Sequence, residues 1–227
     1  MGSNLRQLTA EFLGTFGLVF IGGGAVVMNT NEAGALGLLG VALAHAFVLG
    51  VMVTALMNIS GAHFNPAVTL ALWMAKKIDA RGAVAYVITQ LLAAVVAALL
   101  VRLLLPATAG EVTSYGVPRI APDITFWQAV VIEVILTVFL VSAVFGTAVS
   151  SESPAVGGFG IGTVLLFDIL VGGPLTGAAM NPARAFGPAL VAMDWVGHSA
   201  YWIGPAIGGV VASLLWTKIL LPREKAG

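Results

Sequence analysis

Two copies of Asn-Pro-Ala stand 116 residues apart, at Asn65-Pro66-Ala67 and Asn181-Pro182-Ala183. A single copy is a common turn or helix start and carries little weight. Here both copies sit inside echoing stretches, Ser60-Gly-Ala-His-Phe-Asn-Pro-Ala-Val68 and Thr176-Gly-Ala-Ala-Met-Asn-Pro-Ala-Arg184. Asparagine is a favoured helix N-cap, and proline is favoured at the first helical position, where no N–H is missed. A capping asparagine spends its side-chain oxygen on a backbone N–H, which fixes its NH2 group pointing away from the helix. Two such amides would aim donors at one shared point, beside two helix ends that each carry about half a positive charge. That pairing suits a neutral polar solute and opposes a cation. A water turned toward both donors cannot easily accept from its neighbour in file as well, which interrupts a proton relay.

Other polar residues fall in apolar surroundings. Glu11 and Glu133 are 122 residues apart, nearly the offset of the asparagines. Arg184 lies one turn beyond Asn181. An intramembrane charge is costly and is a functional candidate by default, although an arginine can also snorkel to the surface. His45 could act in a pore or be packed in a core. His63 suits an inner vestibule or a purely structural hydrogen bond equally. Asp168 adjoins Ile169 with no readable direction, and His198 is expected at an interface. No nucleophile–base set, metal-ligand cluster or phosphate loop appears, so neither an enzyme, a cofactor nor a metal is expected.

These residues need elements to position them. The 227 residues are 59% hydrophobic and 9% charged, with ten basic and ten acidic side chains and no cysteine. The mean hydropathy is +1.02. Soluble domains carry roughly 25% charged residues, so a membrane protein is expected. No basic patch suggests nucleic acid, and thiol chemistry is excluded. The first apolar run is too long for a signal-peptide core, and no small-residue cleavage site closes it.

Six stretches reach the roughly 20 apolar residues that a bilayer requires. They run from Leu8 to Met28, Leu36 to Ile59, Gly82 to Leu105, Phe126 to Val149, Val156 to Gly172 and Ser199 to Leu221. Two shorter pieces, Asn65 to Ala75 and Asn181 to Ala192, read as re-entrant half-helices. The chain thus reads as one transmembrane domain, 1–227, of two repeats, about 1–105 and 126–221, joined by an outer loop, 106–125. Three spans per repeat is an odd number, so the second repeat enters from the opposite side. With both termini cytoplasmic, Arg6, Lys76, Lys77, Arg81, Lys218, Arg223 and Lys225 face inward, and only Arg102 and Arg119 fall outside. Glycines at helical spacing, such as Gly204 and Gly208, read as packing.

The two Asn-Pro-Ala stretches resemble the signature loops of the aquaporins, the major intrinsic proteins, and the similarity covers essentially the whole chain. It implies an all-α membrane protein of six transmembrane helices plus two re-entrant half-helices in an inverted repeat. It also implies a homotetramer in the bilayer, each subunit a passive path for water and small neutral solutes. Arg184 resembles the family's constriction arginine, with His45, Ile169 and Ala178 at the other filter positions. Backbone carbonyls at Gly61, Ala62 and His63, and at Gly177, Ala178 and Ala179, would form an acceptor ladder along the pore. Glu11 and Glu133 would accept N–H bonds from the re-entrant loops; the competing role is that of a proton-coupling carboxylate.

The His, Ile, Ala, Arg set resembles the plant tonoplast subgroup, whose members often pass ammonia as well as water. The glycerol-conducting branch is an alternative, but it usually has Asp after the filter arginine, where this chain has Ala185. Tyr201 and Trp202 also match the water type. A coupled secondary transporter is a further alternative. The expected location is the cell membrane.

Overall fold

Side-chain caps set where several helices begin. The Asn4 oxygen accepts the Gln7 N–H at 3.0 Å, and the Gln7 side chain accepts the Asn4 N–H at 3.1 Å, opening α1 (Leu5–Asn31) with a capping box. Asp79 accepts the Gly82 N–H at 2.7 Å to open α4 (Ala80–Leu104). Thr125 and Gln128 repeat the box at α6 (Phe126–Val144). The structure, a computed structural model, describes residues 4–222; Arg223 and Lys225, expected on the inner side, lie outside the described residues.

Among the described residues, six helices are long and apolar enough to cross a membrane. They are α1, α2 (Gly37–Ser60), α4, α6 with a closing π turn to Val149, α7 (Phe159–Thr176), and α9 (Ala200–Leu215) with a π turn to Leu220. Two short helices, α3 (Pro66–Met74) and α8 (Pro182–Ala192), do not span. The fold is therefore an all-α membrane protein with two re-entrant half-helices in an inverted repeat.

Two stretches differ from the sequence reading. The fifth span starts at Phe159 and runs to Thr176, later at both ends than expected. Its expected first turn is loop, because Gly157 is left-handed and the Gly158 N–H bonds the Thr54 hydroxyl at 2.9 Å. At the far end α7 passes through Pro174 and stops only at left-handed Gly177. The 106–125 connection also contains a short helix, α5 (Ala107–Val112), and a tight turn at Ser114–Gly116.

Helix packing knits the halves together. α3 packs on α4 and on α9 of the other half, while α8 packs on α4. Close approach is made possible by missing side chains. A Cβ on Gly187 would lie 2.3 Å from the Ala94 carbonyl oxygen, and one on Gly209 would lie 2.8 Å from that of Ala67. Gly204 and Gly208 meet α6 in the same way, at Glu133 and Val134. Large apolar side chains such as Phe47, Ile88, Leu92 and Phe139 stay exposed on the outside of the bundle, as lipid-facing helices require.

Candidate functional site

Each re-entrant loop begins where a span ends in a left-handed glycine, Gly61 after α2 (φ 86°) and Gly177 after α7 (φ 80°). Left-handed residues then recur in step: Ala62 and Phe64 (φ 50° and 51°) in one loop, Ala178 and Met180 (φ 45° and 50°) in the other. Such conformations cost about 1–3 kcal/mol each outside glycine and persist only where surroundings hold them.

Two buried carboxylates hold them. Glu11 accepts the N–H groups of His63 at 2.9 Å and Phe64 at 2.8 Å, the Ser60 hydroxyl at 2.7 Å and the Gln90 amide at 2.9 Å. Glu133 accepts the N–H groups of Ala179 at 2.9 Å and Met180 at 2.7 Å, and the Thr176 hydroxyl at 2.7 Å. Both glutamates have no exposed surface. The Ser60 and Thr176 hydroxyls in turn accept the N–H groups of Ala62 and Ala178, at 3.0 and 3.2 Å. Tyr86 and Tyr201 each donate at 2.8 Å to the carbonyl of that same residue, Ser60 or Thr176. Only the first half adds Thr69, which receives Gln90 at 3.0 Å and lies 3.1 Å from the His63 ring nitrogen.

The asparagines then cap α3 and α8. Asn65 Oδ1 accepts the Ala67 N–H at 2.8 Å; Asn181 Oδ1 accepts those of Ala183 at 3.0 Å and Arg184 at 3.3 Å. Their NH2 groups cross over. Asn65 donates to the Met180 carbonyl and Asn181 to the Phe64 carbonyl, both at 2.9 Å. Each amide keeps a second N–H. Pro66, Ala67, Pro182 and Ala183 are buried and do not border the lumen described next.

Asn65 and Asn181 border a narrow lumen with a water-accessible volume of about 30 Å³. One water needs about 10–15 Å³ of such space, so about two or three fit in a row. Much of the wall is apolar, including Leu18, Leu49, Leu140, Ile161 and Leu165, with His45, His63 and Arg184 as further polar members. His45, Ile169 and Arg184 border both the lumen and a vestibule of about 340 Å³ beside Gly116. Ala178 faces the lumen, and Gly177 faces the vestibule. Three of the four expected filter residues, His45, Ile169 and Arg184, thus stand where the lumen meets this vestibule, and the fourth, Ala178, borders the lumen alone. His63 borders both the lumen and a second vestibule of about 610 Å³, beside Lys76 and Lys77. Ala62 and Ala179 border the lumen, whereas Gly61 borders none of these three spaces.

Two of these side chains have fixed orientations. His45 Nδ1 lies 2.9 Å from the Val41 carbonyl. A carbonyl only accepts, so Nδ1 carries the proton and Nε2 of the neutral ring is an acceptor. The ring fits because α1 has a glycine beside it: a Cβ on Gly22 would lie 2.4 Å from His45 Nε2. Arg184 is 5% exposed, and its Nη1 donates to the Gly116 carbonyl at 2.6 Å. That carbonyl comes from the 106–125 connection.

Away from the lumen, Asp168 is 2% exposed and its Oδ2 has no hydrogen-bond partner among the described residues. It borders none of the three spaces above. Asp194, just past α8, accepts Ser114 Oγ and Arg119 Nη2, both at 3.0 Å. Burial works against its ionisation, but bonds from Ser114, Arg119 and the Val196 N–H hold its carboxyl below the ordinary carboxylate range. Among the described residues no cluster could hold a metal ion.

The sequence reading missed Ser60, Thr176, Tyr86, Gly116 and Asp194 as parts of this assembly, and it noted Tyr201 only as a match to the water type. The first two lay inside the echoing stretches, and Tyr86 and Tyr201 are 115 residues apart, so self-comparison could have exposed all four. Gly116 contributes a backbone oxygen, which no residue type announces.

This geometry defines a transmembrane pore protein, and comparison with known proteins gives its family. The model of the major intrinsic proteins matches residues 2–216. The chain is 41% identical to a probable aquaporin TIP3-2 of Arabidopsis thaliana, over 96% of this chain and 85% of that one. It is 40% identical to an aquaporin TIP4-4 of Zea mays, over 96% and 88%. Its fold superposes on the X-ray structure of the aquaglyceroporin from Plasmodium falciparum with a TM-score of 0.83 at 26% identity, covering 96% and 97% of the two chains. The chain therefore belongs to the major intrinsic protein family, with the tonoplast-type resemblance its sequence suggested. It is a multi-pass membrane protein and a passive water channel, not an enzyme.

Proposed function

We propose that water crosses this protein in single file through the lumen between Asn65 and Asn181, and that His45, Ile169, Ala178 and Arg184 set which other solutes follow. The observation that carries this is the pair of capped half-helices bracketing a space about two or three waters long. Each asparagine offers its free N–H to the water oxygen, and both helix ends oppose a cation. Carbonyls of the two re-entrant loops supply acceptors on either side. Glu11 and Glu133 support those loops; carboxylates that already accept four and three hydrogen bonds have little left to exchange protons with a permeant.

Ammonia is a second permeant on this reading, because Ile169 and Ala178 leave the filter short of polar groups. We place both termini in the cytoplasm from the charge bias of Arg6, Lys76, Lys77, Arg81 and Lys218 against Arg102 and Arg119. The similarity to TIP-type relatives gives no support to the cell membrane over another membrane. A homotetramer fits the exposed apolar sides of the bundle.

Stopped-flow light scattering on proteoliposomes tests the reading with osmotic, ammonia and glycerol gradients. Water and ammonia should equilibrate faster than in empty vesicles, linearly and without ion dependence, and glycerol should lag. Swelling no faster than empty vesicles would overturn it, and saturable, ion-dependent flux would favour a coupled transporter. Arg184→Val should admit larger solutes; an unchanged solute profile would remove Arg184 from the constriction.

A further inference from the structure

We propose that Asp194 is a positioning residue for the filter, acting on Arg184 through the outer turn at Ser114–Gly116. It rests on the reading that Arg184 lines the constriction. α8 bears Arg184 near its start and ends at left-handed Met193, after which the Asp194 N–H returns to the Ala189 carbonyl at 3.0 Å. Asp194 Oδ2 then accepts both Ser114 Oγ and Arg119 Nη2 at 3.0 Å, and Arg119 Nη2 also donates to Ser114 Oγ at 2.5 Å. Between those two partners in sequence lies Gly116, whose carbonyl receives the Arg184 guanidinium at 2.6 Å. The same outer segment is thus tied to α8 at both ends, by a carbonyl near its start and by a carboxylate beyond its finish.

The turn needs such a tie. Ser114, Tyr115 and Gly116 are three consecutive residues with positive φ (46°, 54° and 88°), a conformation that backbone energetics alone do not favour. On its inner side it is wedged against α1, where a Cβ on Gly116 would lie 2.8 Å from Gly23 Cα. Tyr115 lies under Arg102, whose Nη1 donates to the Val191 carbonyl at 3.1 Å. The side toward the α8–α9 connection is held by Asp194. Releasing that hold lets the turn drift, and the Gly116 carbonyl then no longer pins Arg184. Arg119 is 57% exposed, and ion pairs so open to water add little to global stability. Their removal therefore reads out position more than folding.

The test uses the full chain in proteoliposomes and compares urea with water permeability. Asp194→Asn and Arg119→Gln should each raise the urea-to-water ratio about threefold or more, with little change in water flux. The double variant should match either single, because both remove one tie; independent sites would instead add. An unchanged ratio in Asp194→Asn, or strictly additive effects, overturns the proposal. Ser114→Ala removes a bond to the same oxygen and carries the test if Asp194→Asn does not assemble. Arg184→Val, run alongside, separates the failures. If it too leaves the ratio unchanged, the filter reading falls; if it alone changes the ratio, only the role of Asp194 falls.

Discussion

Asn65 and Asn181 each donate a side-chain hydrogen bond to the carbonyl of the residue just before the other, Met180 and Phe64, at 2.9 Å in both directions. The exchange joins two loops far apart in sequence into one reciprocal unit. It also fixes the amide planes, so the remaining N–H of each has a defined aim.

Breaking the exchange should cost stability as well as flux. Asn181→Ala loses a cap, about 1 kcal/mol, and leaves the buried Phe64 carbonyl unpaired, about 1–3 kcal/mol more. Thermal unfolding in detergent should shift down by several degrees. Asn181→Asp keeps the cap oxygen but loses the crossing donor, and should still melt below the parent protein. Equal melting would mean that the crossed bond contributes nothing.

The two glutamates should behave as a matched pair. In Glu11→Gln or Glu133→Gln an NH2 group must face donors that now have no acceptor, with a cost of about 1–3 kcal/mol for each buried group left unmet. Both variants should lose thermal stability and water flux together, measured by unfolding and by vesicle shrinkage. A variant that keeps its stability while gaining proton leak would point to proton coupling instead of loop support.

Asp168 points the other way. A carboxyl this buried with an unpartnered oxygen is a liability, because burying a charge without a partner costs free energy. Asp168→Asn keeps the shape and removes the ionisable carboxyl. It should stabilise the protein by about 1 kcal/mol, roughly 2–4 °C in melting for a chain of this size. A lower melting temperature would show that the carboxylate is stabilised by a partner in the membrane-embedded protein.

Acid should weaken the N-terminal end of α9. Burial holds the His198 pKa below its ordinary 6.5, and its Nε2 accepts the Trp202 indole N–H at 3.0 Å. The folded protein therefore prefers the neutral ring. That contribution is fully present above the ordinary value and is lost as pH falls through the depressed one. Between about pH 7.5 and about pH 5.5, the parent should lose more melting temperature than His198→Gln. Equal losses would show that His198 plays no part.

The spans, the half-helices and the residues around the asparagines were legible because hydrophobic run length and a repeated polar pattern survive in one dimension. Asn65, Asn181, Glu11 and Glu133 stand out as polar types where apolar ones belong. The start of α7 was not legible: Val156 is as apolar as a span residue, but the chain at Gly157 and Gly158 is shaped by Thr54 of another helix. The tie from Arg184 to Gly116 was hidden for a different reason. Its acceptor is a main-chain oxygen, presented by a turn whose shape depends on α1 and on Asp194.

The crossing of the halves bears on how the protein is made. While a ribosome has delivered only the first hundred or so residues, the Asn65 amide has no Met180 to meet and α3 has no α9 to lean on. The early membrane intermediate must leave its short helix parked in lipid or at the translocon until its partners in the second half arrive. Biogenesis would then end in one closing step, and a nascent chain stopped before α8 would lack Asn181 and Arg184 from the wall of its lumen.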